Sequence, residues 1–167
     1  MHFTLGELVL DLVHNAAAAR ARLIVVTWTE RAGRLVLRVA DDGSGMPPEA
    51  VARATDPFYT DGLKHPGRSV GLGLAFLRQT AEAAGGTFQL DSELGKGTTV
   101  GLEADSGHVD LPPAGDAADT VMLVLTVDGP EEIVVERASD AGAYTVRKSE
   151  LEAVLGDLHD VQGRALL

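Results

Sequence analysis

Apolar residues near the start of the chain recur every three or four positions, which is the spacing of a helix that buries one face. They are Leu5, Leu8, Val9, Leu12, Val13 and Ala16. Thr4, followed three residues later by Glu7, has the pattern of a capping box. We therefore predict a helix over residues 5–19.

The pattern that follows predicts two β-hairpins with helices between them. Runs that are rich in β-branched residues, or that alternate between apolar and polar residues, predict the strands. Pro47-Pro48 favours the first turn of a helix, and Gly85-Gly86 favours a helix end. The predicted elements are strands 23–30 and 34–40, a short helix from residue 47, a loop over 56–70, a helix over 71–84, and strands 87–92 and 98–103.

Residues 107–115 contain two glycines and two prolines and predict a boundary. We expect a domain over residues 1–105, a linker over 106–119 and a small acidic α/β extension over 120–167. The extension is predicted to hold a helix over 116–127 (or a strand over 121–127), strands 132–137 and 143–147, and a final helix from Ser149 with a Ser149–Glu152 capping box.

Composition and charge narrow the classes of function. The 167 residues include no cysteine, which excludes disulfides and thiolate chemistry. The formal net charge is −11, and residues 106–167 carry 12 acidic but only 4 basic side chains. Such a surface disfavours nucleic acid and anionic membranes as partners. No apolar run reaches the roughly 20 residues that span a bilayer, and Glu7 and Asp11 interrupt any signal-peptide pattern. We therefore expect a cytoplasmic protein.

Two clusters of residues carry candidate chemistry in the first half of the chain. Glu7, Asp11 and Asn15 are spaced four residues apart on one helix stripe, and their oxygens suit Mg²⁺, which takes few protein ligands. Asp41-Asp42-Gly43-Ser44-Gly45-Met46 follows a strand, where a carboxylate beside glycines can bind the exocyclic amine of a flat ligand. A solvated helix face and a simple turn are the respective alternatives.

A third cluster, Ser69-Val70-Gly71-Leu72-Gly73-Leu74, opens a helix. The first N–H groups of a helix and its dipole favour an anion such as a polyphosphate. The cluster lacks the terminal Lys-Ser/Thr of a P-loop and the glycine spacing of a Rossmann fold. Those two nucleotide-binding folds are therefore excluded.

The order of these clusters resembles that of the GHKL ATPases, the Bergerat-fold family of histidine kinases, gyrase, mismatch-repair ATPases and a heat-shock chaperone. Residues 8–16 resemble the N box of that family, and Asp41 to Gly45 its first glycine box. Asp56-Pro57-Phe58-Tyr59 resembles the F box, and Gly71 to Leu74 the second glycine box. Gly95-Lys96-Gly97-Thr98-Thr99 resembles the closing Gly-Thr motif.

The resemblance covers about residues 5–103 and implies an α+β fold, a two-layer sandwich of helices on a mixed sheet. It also implies a site for ATP and Mg²⁺. Asp11 would be the catalytic residue or a magnesium ligand through water, Asn15 would ligate Mg²⁺, and Asp41 would bind the adenine amine. The implied ATP-binding residues are Asn15, Asp41, Gly43, Gly45, Met46, Phe58, Lys64, Arg68, Ser69, Val70, Gly71, Leu72, Gly73, Leu74 and Thr98.

Three residues depart from the family pattern. Ser69 stands where many members have the first glycine of the second box, and Asp11 is one methylene shorter than the glutamate base of hydrolytic members. Asp42 replaces the usual asparagine and is expected to add negative charge near the nucleotide. Residues 59–70 are expected to form the ATP lid, in which Lys64 and Arg68 neutralise phosphate charge.

The N box begins within the first dozen residues, so we expect a stand-alone ATP-binding domain without a phospho-acceptor hairpin. His14 is expected to be a packing or surface residue. The resemblance thus implies a Mg-ATP-binding, histidine-kinase-like domain of bacterial signal transduction that transfers the γ-phosphoryl group to a partner protein in trans. A slow ATP hydrolase and a non-catalytic, ATP-gated switch of the anti-sigma type are the alternatives.

Overall fold

The alternating segments of the chain build one sheet, and the helical segments pack against it. The computed structural model describes residues 4–54 and 72–156. Its elements are α1 (Leu5–Ala18), β1 (Leu23–Arg31), β2 (Arg34–Asp41), α2 (Pro48–Arg53), α3 (Leu72–Ala83), β3 (Thr87–Glu93), β4 (Gly97–Asp105), α4 (Ala117–Leu125), β5 (Glu132–Ser139), β6 (Gly142–Arg147) and α5 (Lys148–Leu155).

The sheet has six strands in the order β3-β4-β2-β1-β5-β6. Four of its strand pairs are antiparallel, whereas β1 and β5 are parallel, and the chain between them runs from β2 to α4. A parallel pair needs such a crossover connection. The predicted α+β fold with a mixed sheet is therefore confirmed.

Alternate strand residues build the core on the face that the helices cover. Ile24, Val26 and Trp28 of β1 are at most 3% exposed, and they pack with Leu8 of α1 and Leu77 of α3. Burying a leucine of this kind stabilises a fold by about 1.5–3 kcal/mol. The helix stripe that the sequence predicts is therefore the layer that covers the sheet.

The two strands after residue 105, β5 and β6, belong to the same sheet as the four strands before it. Strand β5 pairs with β1 from Leu23–Glu132 to Glu30–Ser139. Helix α4 crosses α1 so closely that a Cβ on Gly6 would overlap Thr120 Oγ1. Helix α4 begins inside the range expected as a linker. The division into a domain, a linker and an extension stays a prediction.

The two predicted capping boxes have different outcomes. The Thr4–Glu7 box is confirmed, because Thr4 Oγ1 accepts from the Glu7 N–H at 3.1 Å and Glu7 Oε2 accepts from the Thr4 N–H at 3.0 Å. The Ser149–Glu152 box is wrong: α5 begins at Lys148, and the Ser149 N–H and hydroxyl both donate to Glu132. A carboxylate at the start of the neighbouring strand satisfies the groups that a local box would have used.

The alternative of a strand over residues 121–127 is also wrong, because residues up to Leu125 are helical. Asp116 caps this helix by accepting from the N–H groups of Ala118 and Asp119 at 2.8 and 3.0 Å. No helix in the two described ranges is long and apolar enough to cross a membrane.

Candidate functional site

A row of polar residues crosses the helix-covered face at one end of the sheet. Asp41 at the end of β2 pairs with Thr98 of β4, which in turn pairs with Ser92 of β3. Because side chains alternate along a strand, Asp41 points to the same side as the buried Leu37 and Val39. Polar side chains thus stand where the alternation would otherwise continue the apolar core, which is the arrangement of a binding site.

The Asp41 carboxylate is half-buried and held by backbone donors. Its Oδ1 accepts from the Gly43 N–H at 2.8 Å, and the Thr98 N–H also donates to the carboxylate. Burial raises the pKa of Asp41, the two N–H donors lower it in part, and the nearby charge of Asp42 raises it further. None of the groups that shift this pKa is a cation. The carboxylate can therefore accept a hydrogen bond from a neutral N–H group of a ligand.

The loop after Asp41 is packed so tightly that glycine is required at two positions. Gly45 has a φ of +61°, and a Cβ there would overlap the carbonyl oxygen of Glu93. Gly97 has a φ of +108°, and a Cβ there would overlap the carbonyl oxygen of Asp41. Both conformations are ones that residues with a Cβ rarely adopt. The loop and the β3–β4 turn therefore hold each other in one arrangement.

Hydrogen bonds complete this arrangement. The Ser44 N–H donates to the Ala19 carbonyl at 2.9 Å, and the Gly95 N–H donates to the Ser44 carbonyl at 2.7 Å. The Met46 N–H donates to Ser92 Oγ at 2.9 Å. The loop is thus fixed both to the end of α1 and to the β3–β4 hairpin.

Ser92 is a site residue that the sequence analysis missed. Its hydroxyl lies 2.9 Å from Thr98 Oγ1 and 3.1 Å from the Gly97 carbonyl, and it accepts from the Met46 N–H. The signal was present in the alternation of β3, because Phe88 and Leu90 face the core and Ser92 is the next residue of that series. A polar residue at such a position needs a partner.

Asp42 follows Asp41 and bonds the backbone at the start of β1, and the expected effect of its charge on a nucleotide stays a prediction. Its Oδ1 accepts from the N–H groups of Arg22 and Leu23 at 2.7 and 2.9 Å, so the side chain caps the start of β1. Asp42 is absent from the lining of the cleft described next, as are Gly43, Gly45 and Met46. The negative charge of Asp42 raises the pKa of Asp41.

A cleft of about 340 Å³ opens beside the polar row. Asp41, Ser92 and Thr98 line it, together with residues of the β3–β4 hairpin that the sequence analysis had not selected. Those residues are Asp91, Glu93, Lys96, Gly97 and Thr99. At its rim, Lys96 Nζ lies 2.7 Å from Glu93 Oε1 in an exposed ion pair.

The predicted magnesium residues lie between α1 and α3. A Cβ on Gly73 would lie 3.3 Å from Asn15 Nδ2 and 3.6 Å from Asp11 Cβ, so both side chains face the first turn of α3. Asn15 is exposed and Asp11 is half-buried. No group of three or more acidic or histidine side chains is poised for a metal within residues 4–54 and 72–156. One amide oxygen and one carboxylate nevertheless fit Mg²⁺, which keeps most of its waters.

Several predicted site residues fall outside the described part of the chain. Phe58, Lys64, Arg68, Ser69, Val70 and Gly71 lie there, as does the expected lid. Leu72 is the first residue of α3, and Leu74 packs against the core. His14, for which no role was expected, is exposed on α1.

Residues 3–108 match the family described as histidine kinase-, DNA gyrase B-, and HSP90-like ATPase. Histidine protein kinase DivJ of Caulobacter vibrioides is 38% identical over 101 residues, which are 59% of this chain and 17% of that protein. Sensor histidine kinase AruS of Pseudomonas aeruginosa is 32% identical over an alignment 180 residues long, which covers 93% of this chain and 18% of that protein. The chain thus spans less than a fifth of either relative.

Two solved structures share the fold. The Aquifex aeolicus MutL ATPase domain, complexed with ADP, has a TM-score of 0.54 and 17% identity, covering 96% of this chain and 70% of that one. The N-terminal domain of a DNA repair protein has a TM-score of 0.56 and 16% identity, covering 86% of this chain and 51% of that one. The shared architecture therefore extends well beyond residue 108.

Proposed function

Because this chain belongs to the histidine kinase-, DNA gyrase B- and HSP90-like ATPase family, we propose that it binds Mg-ATP in the Asp41 cleft and transfers the γ-phosphoryl group to a partner protein. The family and the histidine kinases among its relatives support an ATP-binding, kinase-like domain of bacterial signal transduction. The residue roles, the metal and the transfer in trans are the parts that we propose.

The observation that carries the proposal is the Asp41 carboxylate, which is half-buried beside Thr98 and Ser92. A half-buried acceptor that lines a cleft fits the exocyclic amine of adenine, whereas guanine would present a carbonyl oxygen there and leave two acceptors facing each other. The close-packed glycine backbone at Gly43 and Gly45, with Met46, would contact the flat ring. Thr98 would bind the ring through its hydroxyl or a water.

The phosphates would then lie between α1 and the first turn of α3. The exposed amide of Asn15 would ligate Mg²⁺, and the N–H groups at the start of α3, including that of Gly73, would bind phosphate oxygens. Bound Mg²⁺ would neutralise charge on the β- and γ-phosphates. Phe58, Lys64, Arg68, Ser69 and Val70 belong to the proposed lid, and the N–H groups of Gly71 and Leu72 would join that of Gly73 on the phosphates. Leu74, which packs against the core, would support this turn from below.

In the proposed transfer, a nucleophilic nitrogen or hydroxyl oxygen of the partner attacks the γ-phosphorus. A bond from that atom to phosphorus forms, the bond from phosphorus to the bridging oxygen breaks, and ADP leaves with the electron pair. Asp11 faces the first turn of α3, where the phosphates would lie. Its carboxylate would accept the proton that the nucleophile loses. Catalysis by such a site is mainly positioning and charge neutralisation.

Incubation with γ-labelled ATP, alone and with a cell lysate, tests the proposal. Label on a lysate protein is the expected result. Free phosphate without protein labelling would indicate a hydrolase instead, and intact bound ATP would indicate a switch; either outcome contradicts phosphoryl transfer. Asp11→Asn should abolish labelling while it preserves ATP binding.

The matched control uses two neighbouring residues of α1. Asn15→Ala should weaken Mg-ATP binding by at least about tenfold, the loss of one charge-assisted contact. His14→Ala, on the exposed side of the same helix, should leave binding unchanged. Equal affinities of the two variants would refute the metal assignment.

A further inference from the structure

The two edges of the sheet differ in how well they are protected against pairing with another strand. At one edge, β3 contains Asp91 and Glu93, and it packs against α2 and α3. At the other edge, β6 contains no proline, and its only charge is on its last residue, Arg147. Edge strands in soluble proteins usually carry such groups, because they prevent unwanted pairing.

Strand β6 is also accessible. Five of its six residues are exposed, and Tyr144 exposes 46% of its surface. Within the described residues, β6 pairs with β5 alone, so its outer N–H and C=O groups have no partner strand. We propose that β6 is a docking edge, at which an extended, basic segment of a partner protein adds as a seventh strand.

The charge of the region decides between two occupants. Residues 106–167 carry 12 acidic and 4 basic side chains. Four acidic residues lie next to the edge, against the exposed Arg147 at the end of β6: Glu136, which pairs with Thr145, Asp140 in the β5–β6 turn, and Glu150 and Glu152 on α5. A second copy of this chain would bring two such acidic regions together, whereas a basic segment would be attracted to one.

The neighbouring helix offers an apolar surface for the same segment. Helix α5 packs against β5 and β6 through Leu151, while Val154 and Leu155 remain 81% and 47% exposed. A strand added at a sheet edge gains affinity from its backbone and specificity from alternate side chains. We therefore expect the segment to alternate basic and β-branched residues.

The test uses a fluorescent peptide of about ten residues in which lysine alternates with valine. Control peptides have the same sequence with N-methylated backbone amides, or with glutamate in place of lysine. We expect the first peptide alone to bind, and to protect the backbone N–H groups of residues 142–147 from hydrogen exchange. Equal binding of the N-methylated peptide would show non-specific attraction and would overturn the proposal, as would no binding by any peptide at about 1 mM.

Matched variants at the two edges sharpen this test. Thr145 and Gln89 lie in the same row at opposite ends of the sheet. Thr145→Lys should weaken peptide binding by at least about tenfold, because it places a like charge at the edge. Gln89→Lys and the β-favouring Thr145→Val should change it by less than about twofold.

Sedimentation of the chain alone tests whether a second copy of the chain occupies the β6 edge. A dimer that Thr145→Lys dissociates would show that a second copy takes the edge, and it would overturn the proposal. These measurements need no nucleotide. Their failure therefore leaves the proposed ATP site untouched, and the failure of that site leaves the docking edge untouched.

Discussion

The polar row of Asp41, Thr98 and Ser92 lies at one corner of the sheet, where β2 and β3 end and β4 begins. This corner differs from the β6 edge in how its polar groups are held. At the corner, the Asp41 carboxylate is half-buried, and backbone packs against Gly45 and Gly97. At the edge, the Arg147–Glu150 pair is 4.0 Å long with side chains 48% and 68% exposed. Desolvated and fixed groups discriminate between ligands, whereas exposed ones attract them with little selectivity. The corner is therefore suited to one nucleotide, and the edge to a class of peptides.

The largest expected effect is on ATP affinity, and it distinguishes the roles of two adjacent carboxylates, Asp41 and Asp42. Asp41→Asn should weaken ATP binding by at least about a hundredfold, because an amide in that place can turn a donor toward the adenine amine. Asp42→Asn should change affinity by less than about threefold, since Asp42 binds the backbone at the start of β1. Calorimetric titration of both variants measures the difference. Comparable losses would place the adenine elsewhere.

The next effect concerns stability at the same corner. Gly97→Ala should lower the free energy of unfolding by at least about 2 kcal/mol, because a Cβ there meets the Asp41 carbonyl. Gly95→Ala, at a φ of +80° with nothing within 4 Å, should cost about 1 kcal/mol. Urea denaturation of both variants checks this. Similar losses would mean that the corner relaxes more easily than its packing indicates.

The pH dependence follows from the raised pKa of Asp41. Between the ordinary aspartate pKa and the raised native value, the folded chain holds more protons than the unfolded chain, so stability falls as pH rises through this window. Adenine binding needs the ionised acceptor, so affinity should weaken by about tenfold per pH unit below the native pKa. Asp41→Asn should abolish both trends. Their persistence in the variant would assign them to another group.

The smallest expected effect is a loss of stability around Lys148, at the start of α5. Lys148 is 8% exposed, and its Nζ donates to the carbonyls of Val127 and Pro130 at 3.3 Å each. Lys148→Met should cost about 1–2 kcal/mol of unfolding free energy, because the two carbonyls lose a donor. It should leave ATP affinity unchanged. A parallel loss of affinity would show that the C-terminal part supports the corner more than the contacts indicate.

The helices and strands could be predicted from the sequence because their signals are local. The stripe from Leu5 to Ala16 and the alternation of β1 and β2 follow from the repeat of each element, whatever it packs against. The distant hydrogen-bond partners of Ser92, Asp42 and Ser149 could not be found in this way. Each of these side chains bonds a group that is distant in the sequence, so its partner exists only once the strands have paired.

The sequence by itself determined the elements, the acidic C-terminal part and the order of motifs that resembles the ATPase family. Tertiary structure decided that the C-terminal strands continue the same sheet, that Ser92 joins Asp41 and Thr98 beside the cleft, and that β6 forms an open edge. The physical reason is that periodicity fixes which side of an element is apolar, whereas strand register and close backbone packing fix which polar groups meet.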